Sequence, residues 1–441
     1  MRNYFYFLFF LISITTSHQT KATNCYGGRY EKKVFKDFTT INDILYGRKQ
    51  RSDGAWLDYK YDVYQPKNDT ATTRPLIFLA HGNAFLEAQF LDKKSPDIVE
   101  LAIDLVQKGY VVISIEYREE PNPLSLFNEQ NMIKAVGRAV LDIRDGICKI
   151  MDTTLNYGNP YKIDYNNVIV GGVSAGAIAL LHGAFIDNLD VMPAQYKQWI
   201  LEVEPNAQAL LANKYCGATI KGIINISGAI LDTNWIQANK QYPPLLSVHG
   251  TADPIVPFNY GKPFSIPVLP NLMGSYLINK RYKNLNLRSE LDTWISYSHV
   301  PFVGGLNLEA LLSPNPLAVV FNPYVLDSTK NHIAHFCYSL INCESRTTGI
   351  KENIVSNNLS VFPNPTTANF SIQFPKSPTT QQWRAELFDI AGQEIFDREY
   401  PGNTEILEIN EKLPSGFYFV KLQYFKDGEA YVYTGKINVS H

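Results

Sequence analysis

Short apolar segments alternate with longer amphipathic segments between about Tyr59 and Tyr338. The longer segments at residues 98–108 and 130–151 have the spacing of amphipathic helices, and a further helix is predicted at about 275–285. The short segments are rich in β-branched residues and apolar on both faces, as buried parallel strands are. They cover residues 76–82, 110–117, 168–172, 220–228 and 244–250, and residues 289–295 are predicted as a further strand. This alternation predicts an α/β domain with a mostly parallel sheet.

The pattern changes near residue 345. From Asn353 to His441 the chain has only short alternating strands with turn residues between them, which is the spacing of a small all-β sandwich. Residues 344–358 are polar and show little regular spacing of apolar residues. We therefore place a linker at 346–354. We therefore predict an α/β domain over residues 23–345 and a β-sandwich domain over 355–441.

Residues 1–22 have the pattern of an export signal peptide. Arg2 provides the positive end, and the apolar run at residues 4–14 is shorter than the roughly 20 residues of a spanning helix. A membrane anchor at this end is therefore disfavoured, and a lipid-anchored start at Cys25 is a weaker alternative. No later segment is apolar for long enough to cross a membrane, so we expect no transmembrane segment in the mature chain.

Composition narrows the class of protein. A chain of 441 residues is too long for one compact core. Hydrophobic residues make up 45% and charged residues 19%, which excludes a disordered chain. The formal net charge is −2, so the basic excess of a nucleic-acid-binding protein is missing.

Five cysteines follow the predicted signal: Cys25, Cys148, Cys216, Cys337 and Cys343. Export permits disulfides, but an odd number leaves at least one thiol unpaired. Their spacing matches no zinc motif, so we expect no metal site. Cys337 and Cys343 are close enough to pair, although buried small apolar positions are an equal alternative.

The strongest local motif is the G-x-S-x-G of residues 172–176. An apolar strand leads into it and a helix of small residues leads out, as a nucleophile elbow requires. Ser174 would then lie at a helix N-terminus, where backbone N–H groups stabilise negative charge. The alternative is a glycine-rich turn that only lets the strand and the helix pack closely.

A nucleophilic serine needs a histidine to take its proton and a carboxylate to orient that histidine. Asp253 directly follows the apolar segment that ends at residue 250, whereas Asp232 is the rival acid after the segment that ends at 228. We favour Asp253 because its turn caps a buried strand. Among the histidines that follow, we favour His299.

His299 closes the last predicted strand, and this is why we prefer it to the other three histidines that follow Asp253. His332 and His335 lie on a segment with helical spacing, and His441 ends the β-rich tail. The oxyanion donors would be the backbone N–H groups of Ala175 and of Asn83 or Ala84, in the loop after the segment at 76–82.

Residues 59–345 resemble the secreted or periplasmic carboxylesterase/lipase branch of the α/β-hydrolase superfamily. The matching stretches are YDVYQP, RPLIFLAHGNAF, VVISIEYR, AVLDIRDGI, YKIDYNNVIVGGVSAGAIAL, LSVHGTADPIVPF and SELDTWISYSHVPF. The chain departs from the family pattern at Asn83 and Ser298, where glycine is usual. The resemblance implies an α/β-hydrolase fold and hydrolysis of carboxylic esters by Ser174, His299 and Asp253, without a cofactor or metal.

The tail is similar to the C-terminal sorting domain of the type IX secretion system of Bacteroidetes. The motifs that carry this similarity are VFPNP, LFDIAGQEI, LPSGFYFVKL and KINV, in that order. The resemblance implies a partner in the outer-membrane secretion machinery and a secreted or cell-surface location. A carbohydrate-binding or adhesion sandwich is the alternative.

We therefore expect an exported serine hydrolase that acts on an ester substrate through an acyl-enzyme. A prolyl-type serine peptidase and a catalytically silent surface protein remain alternatives, the latter because of Asn83. Residues 257–274 and 302–325 are expected to roof the substrate pocket. Its aromatic lining is predicted to be Phe85, Trp235, Phe258 and Phe302.

Overall fold

The structure is a computed structural model. It describes Cys25 and residues 28–87, 91–304, 320–341, 353–354, 359–367, 369–375, 382–390, 393–426 and 429–441. The chain divides into two compact units, Met1–Glu344 and Ser345–His441. The predicted signal peptide lies outside the described residues. None of the helices that the structure describes is long and apolar enough to cross a membrane.

The first unit is built on one large sheet. Its strands, and those of three short pairings beside it, are β1 (Phe38–Gln50), β2 (Trp56–Pro66), β3 (Arg74–Ala80), β4 (Val111–Ile115), β5 (Ile163–Val173), β6 (Ile220–Ile226), β7 (Ala229–Ile230), β8 (Leu245–Gly250), β9 (Tyr260–Gly261), β10 (Leu272–Gly274), β11 (Ser289–Trp294), β12 (Val303–Gly304) and β13 (Val320–Phe321). The helices are α1 (Pro96–Gln107), α2 (Glu129–Asn156), α3 (Ala175–Phe185), α4 (Ala194–Val203), α5 (Ala207–Ala212), α6 (Ser275–Asn284) and α7 (Pro323–Leu340).

The large sheet has eight strands in the order β1-β2-β4-β3-β5-β6-β8-β11. β1 and β2 are antiparallel to their neighbours, and the other pairings are parallel. The five segments that the sequence predicted as buried parallel strands are fully or largely buried, and the further predicted strand, β11 at the edge, is half-buried. The predicted α/β class with a mostly parallel sheet is confirmed.

Alternate side chains of the central strands point to two separate cores. In β3, Leu76 and Phe78 pack with α2, α3 and α6 on one face. Ile77 and Leu79 pack with α1 and α7 on the other face. Because the parallel strands all run the same way, their carboxyl ends meet at one edge, which is where ligands bind in such sheets.

Cys148 on α2 and Cys216 form a disulfide with a Cα–Cα distance of 5.0 Å. Cys25 is also disulfide-bonded, so its thiol is not available for a lipid anchor. Cys337 is free and buried in α7, which favours the prediction of a small apolar position over pairing with Cys343. Cys343 lies outside the described residues.

The second unit contains only strands among the residues that the structure describes. They are β14 (Asn353–Ile354), β15 (Ser360–Phe362), β16 (Phe370–Gln373), β17 (Gln382–Asp389), β18 (Glu394–Pro401), β19 (Ile406–Ile409), β20 (Gly416–Lys426) and β21 (Glu429–Val439). They form a five-stranded and a three-stranded sheet that share one core around Trp383 and Phe370. The predicted β-sandwich is confirmed. Asn353 and Ile354, which were predicted as linker, pair with β21 instead.

Candidate active site

Ser174 occupies a strained turn between β5 and α3. Its backbone angles are φ 52° and ψ −116°, a conformation that side chains other than glycine rarely adopt. A Cβ atom on Gly172 would lie 2.5 Å from the backbone N of Ala177, and one on Gly176 would lie 2.3 Å from the carbonyl O of Ala80. Both glycines are therefore required for the sharp turn that presents the Ser174 hydroxyl.

The structure brings Ser174, His299 and Asp253 into one hydrogen-bonded chain. His299 Nε2 lies 2.7 Å from Ser174 Oγ, and His299 Nδ1 lies 2.6 Å from Asp253 Oδ2. The loop that carries His299 is held in place by a hydrogen bond, because the backbone N–H of Val300 donates to Ser227 Oγ at 3.0 Å. With the proton on Nδ1, Nε2 can accept the serine proton.

The Asp253 carboxylate is hydrogen-bonded at both oxygens. Oδ1 accepts from the backbone N–H groups of Ile255 and Val256 at 2.8 and 2.9 Å. Oδ2 contacts His249 Nε2 at 3.0 Å as well as His299. Burial alone would raise the pKa of Asp253, but the charge and hydrogen bonds of the two histidines outweigh it and lower that pKa. Asp253 is therefore held as a carboxylate.

His249 is a residue that the sequence did not single out. It is fully buried, and its Nδ1 lies 2.7 Å from Ser275 Oγ. The Asn225 amide donates to Ser275 at 2.9 Å and to Ser247 at 3.0 Å. This buried network holds the second imidazole against Asp253. The sequence feature that could have identified His249 is its position at the end of β8, four residues before Asp253.

The loop after β3 lies against the nucleophile. A Cβ atom on Gly82 would come within 2.8 Å of Ser174 Cβ. The next turn places Ala84 and Phe85 at φ 57° and 61°. Asn83 is buried, and its side chain donates to the carbonyl of Leu91 at 3.4 Å. The side chain that replaces the usual glycine thus helps to hold the loop.

The rival acid and histidines lie elsewhere. Asp232 accepts a hydrogen bond from the backbone of the short helix that it precedes. His332 on α7 lies 3.2 Å from Glu290 Oε2, and His335 is exposed on the same helix. His441 closes the second unit by contact with a backbone carbonyl. Asp232, His332 and His335 belong to the same unit as Ser174, and the structure brings none of these three side chains to it.

An apolar pocket of about 70 Å³ opens at Ser174. The loop residues Ala84 and Phe85, side chains of α2 and α3, and residues between 255 and 272 line it. The predicted roof at 257–274 is therefore present, whereas most of the predicted roof at 302–325 lies outside the described residues. His182 of α3 also lines the pocket, and burial lowers its pKa to about 4.

Only one of the four predicted aromatic lining residues, Phe85, borders this pocket. Trp235 is buried and donates its indole N–H to a backbone carbonyl at 3.0 Å. Phe258 packs against the imidazole of His249, with ring centroids 5.6 Å apart. Phe302 is fully buried in the core on the α1 and α7 face of the sheet. The prediction for these three residues is wrong because each fills the protein core or supports the acid.

Comparisons with known proteins agree with this fold. Residues 61–230 match the sequence profile of the BD-FAE family, and residues 360–438 match that of the secretion system C-terminal sorting domain. The chain therefore contains an esterase-like α/β-hydrolase domain followed by a sorting domain of the type IX secretion system. Both resemblances seen in the sequence are confirmed.

Solved structures similar to this chain include several esterases. Esterase B from Lactobacillus Rhamnosis is 13% identical, with 71% of this chain and 89% of that chain covered and a TM-score of 0.41. Esterase 2 from the Planctomycetes species Thermogutta terrifontis is 15% identical, with 69% and 94% covered and a TM-score of 0.42. A truncated carbohydrate esterase from gut microbiota is 13% identical, with 68% and 96% covered and a TM-score of 0.39. A search of curated proteins found no match.

Proposed function

We propose that this protein is an exported serine hydrolase that cleaves carboxylic esters through an acyl-enzyme. Ser174 attacks the ester carbonyl while His299 takes its proton, and Asp253 orients and stabilises the resulting imidazolium. Water then releases the acid through the same histidine. The observation that carries the proposal is the continuous chain from Ser174 Oγ through both His299 nitrogens to Asp253.

The oxyanion formed in each step needs backbone donors on the far side of the carbonyl. Ala175 provides the N–H at the start of α3, and the loop of Asn83 and Ala84 provides the second donor. The close approach of Gly82 to Ser174 supports this role for the loop. The apolar pocket beside Ser174 supports an apolar acyl group in the substrate.

A catalytically silent surface protein is the competing proposal, and Ser174→Ala separates the two. The variant should lose on the order of 10⁴- to 10⁶-fold in turnover of p-nitrophenyl butyrate. The matched control is Ser125→Ala, a buried serine outside the triad, which should keep its activity. Circular dichroism checks that both proteins are folded. Equal turnover by the wild type and Ser174→Ala would contradict the proposed hydrolase function.

We further propose that residues 1–22 direct export, that residues 23–345 form the catalytic domain, and that residues 355–441 carry the chain across the outer membrane. The division into two compact units with separate cores supports this. Deletion of residues 353–441 should leave esterase activity in the purified protein. The same deletion should stop secretion of the protein by cells of the native host. Normal secretion of the truncated chain would overturn the sorting role.

A further inference from the structure

A second apolar cavity, which we name the rear cavity, shares a wall with the apolar pocket at Ser174. It encloses about 30 Å³, and apolar side chains of α2, of α4 and of the segment between α3 and α4 line it. On α2, residues between 132 and 136 line the pocket, whereas residues between 133 and 141 line the rear cavity. The rear cavity therefore continues the line of the pocket along α2, away from Ser174.

Four side chains line both spaces and form the wall between them: Ile133, Val136, His182 and Leu231. The His182 ring is held at both nitrogens, since Nδ1 lies 2.7 Å from the carbonyl O of Ile178 and Nε2 accepts from the backbone N–H of Leu231 at 3.4 Å. Ile133 and Val136 are one turn apart on α2 and so present their side chains on the same face of that helix. The wall is thus built from helix positions and a fastened ring.

The chemistry of the proposed reaction decides which part of the ester meets this wall. The departing alkoxide must take a proton from His299 Nε2, so the alcohol part has to lie on the side of the imidazole. His299 is not among the described residues that line the apolar pocket, which side chains of α2 and α3 border instead. The acyl chain therefore runs from the carbonyl carbon at Ser174 into the apolar pocket and toward the wall.

The volume of the pocket limits the length of that acyl chain. A water-sized group occupies about 10–15 Å³ on this measure, and a methylene group is of similar size. The pocket of about 70 Å³ therefore holds about five carbon atoms beyond the ester carbonyl. The rear cavity of about 30 Å³ would hold about two more, but the wall separates it from the chain.

On the basis of the proposed ester hydrolysis, we infer that the wall of Ile133, Val136, His182 and Leu231 sets the upper limit of acyl length. The preferred substrates are esters of aliphatic acids with about four to six carbon atoms. A longer chain would have to displace packed side chains, and a close-packed interior resists such a change. The four wall residues are therefore specificity-determining, and the rear cavity joins the acyl site when the wall is opened.

The test compares kcat/KM for the p-nitrophenyl esters of butyrate, hexanoate, octanoate and decanoate, below the concentrations at which they form micelles. In the wild type, kcat/KM for the octanoate should be on the order of 10-fold or more below that for the hexanoate. The double variant Ile133→Ala/Val136→Ala opens the wall and keeps good helix formers on α2. It should raise the octanoate-to-hexanoate ratio by on the order of 10-fold, while the decanoate stays a poor substrate.

The matched control is Ile143→Ala, which makes the same change at a buried position of α2 that is not among the described residues lining either space. It should leave the octanoate-to-hexanoate ratio as in the wild type. Val136→Ala alone should raise the ratio by a smaller factor, which maintains the test if the double variant fails to fold.

Equal kcat/KM for the hexanoate, octanoate and decanoate in the wild type would overturn the limit on acyl length while leaving ester hydrolysis intact. An unchanged octanoate-to-hexanoate ratio in the folded wall variants would do the same. Failure of the wild type to hydrolyse any of the four esters would instead overturn the proposed function, and this inference with it.

Discussion

Two buried aspartates lie beside the same histidine, and their environments differ. Asp253 receives two backbone N–H groups and two imidazoles, and these partners lower its pKa. Burial raises the pKa of Asp97, although hydrogen bonds with Ser95 and with backbone N–H groups and the charge of His299 oppose that shift. The same side chain is thus kept ionised at one position and is made costly to ionise at the other.

The difference shows how the polar groups of this site divide their tasks. A carboxylate that must stabilise a transient imidazolium has to be preorganised, so its hydrogen bonds come from the protein itself. The two backbone N–H groups and two imidazoles at Asp253 fit the catalytic role proposed for it.

The largest expected effect concerns His299, whose charge lowers the pKa of both carboxyl groups. His299→Ala should lower turnover of p-nitrophenyl butyrate by on the order of 10⁴- to 10⁶-fold, because the serine loses its base. His332→Ala, on the flank of the sheet, should stay within about twofold of the wild type. The measurement is steady-state turnover by both folded variants, and the reverse pattern would assign the base to α7.

The second prediction separates the two aspartates directly. Asp253→Asn should lower kcat for p-nitrophenyl butyrate by on the order of 10⁴-fold, because an amide favours the wrong tautomer of His299. Asp97→Asn should lower it far less, because Asp97 is not part of the hydrogen-bonded chain from Ser174 to Asp253. Similar losses in the two variants, measured side by side with active-site titration, would remove the distinction between the two aspartates.

His249 should show a smaller effect as a positioning residue. His249→Phe removes the hydrogen bond to Asp253 Oδ2 and should lower kcat about 10-fold with little change in KM. His249→Gln keeps an N–H donor and should recover part of this loss. If the two variants have equal kcat, the imidazole only fills space and Asp253 is oriented by its backbone donors alone.

The smallest effect is on stability and depends on pH. Because the pKa of Asp97 is raised in the folded state, its contribution to stability is fully present below its unfolded pKa of about 4 and is lost as the pH rises. Asp97→Asn should therefore add on the order of 1 kcal/mol to the free energy of unfolding at pH 8 and almost nothing at pH 4. Denaturant unfolding at the two pH values measures this, and a variant less stable than the wild type at pH 8 would contradict the raised pKa of Asp97.

The sequence was sufficient to single out the three residues of the hydrogen-bonded chain, because strand ends and chain order restrict where they can lie. It did not identify His249, since a histidine at the end of a buried strand has the same local pattern whether it faces the acid or the core. Trp235 and Phe302 were misplaced because the path of a loop in space is not encoded in local periodicity.

Covalent labelling by a fluorophosphonate tests the central claim most directly, since the reagent reacts with an activated serine. Intact mass spectrometry of the wild type should show one adduct per chain, and peptide mapping should locate it at Ser174. Ser174→Ala should remain unlabelled, and Asp253→Asn should react far more slowly. A wild-type protein that stays unlabelled, or an adduct on another serine, would contradict the account.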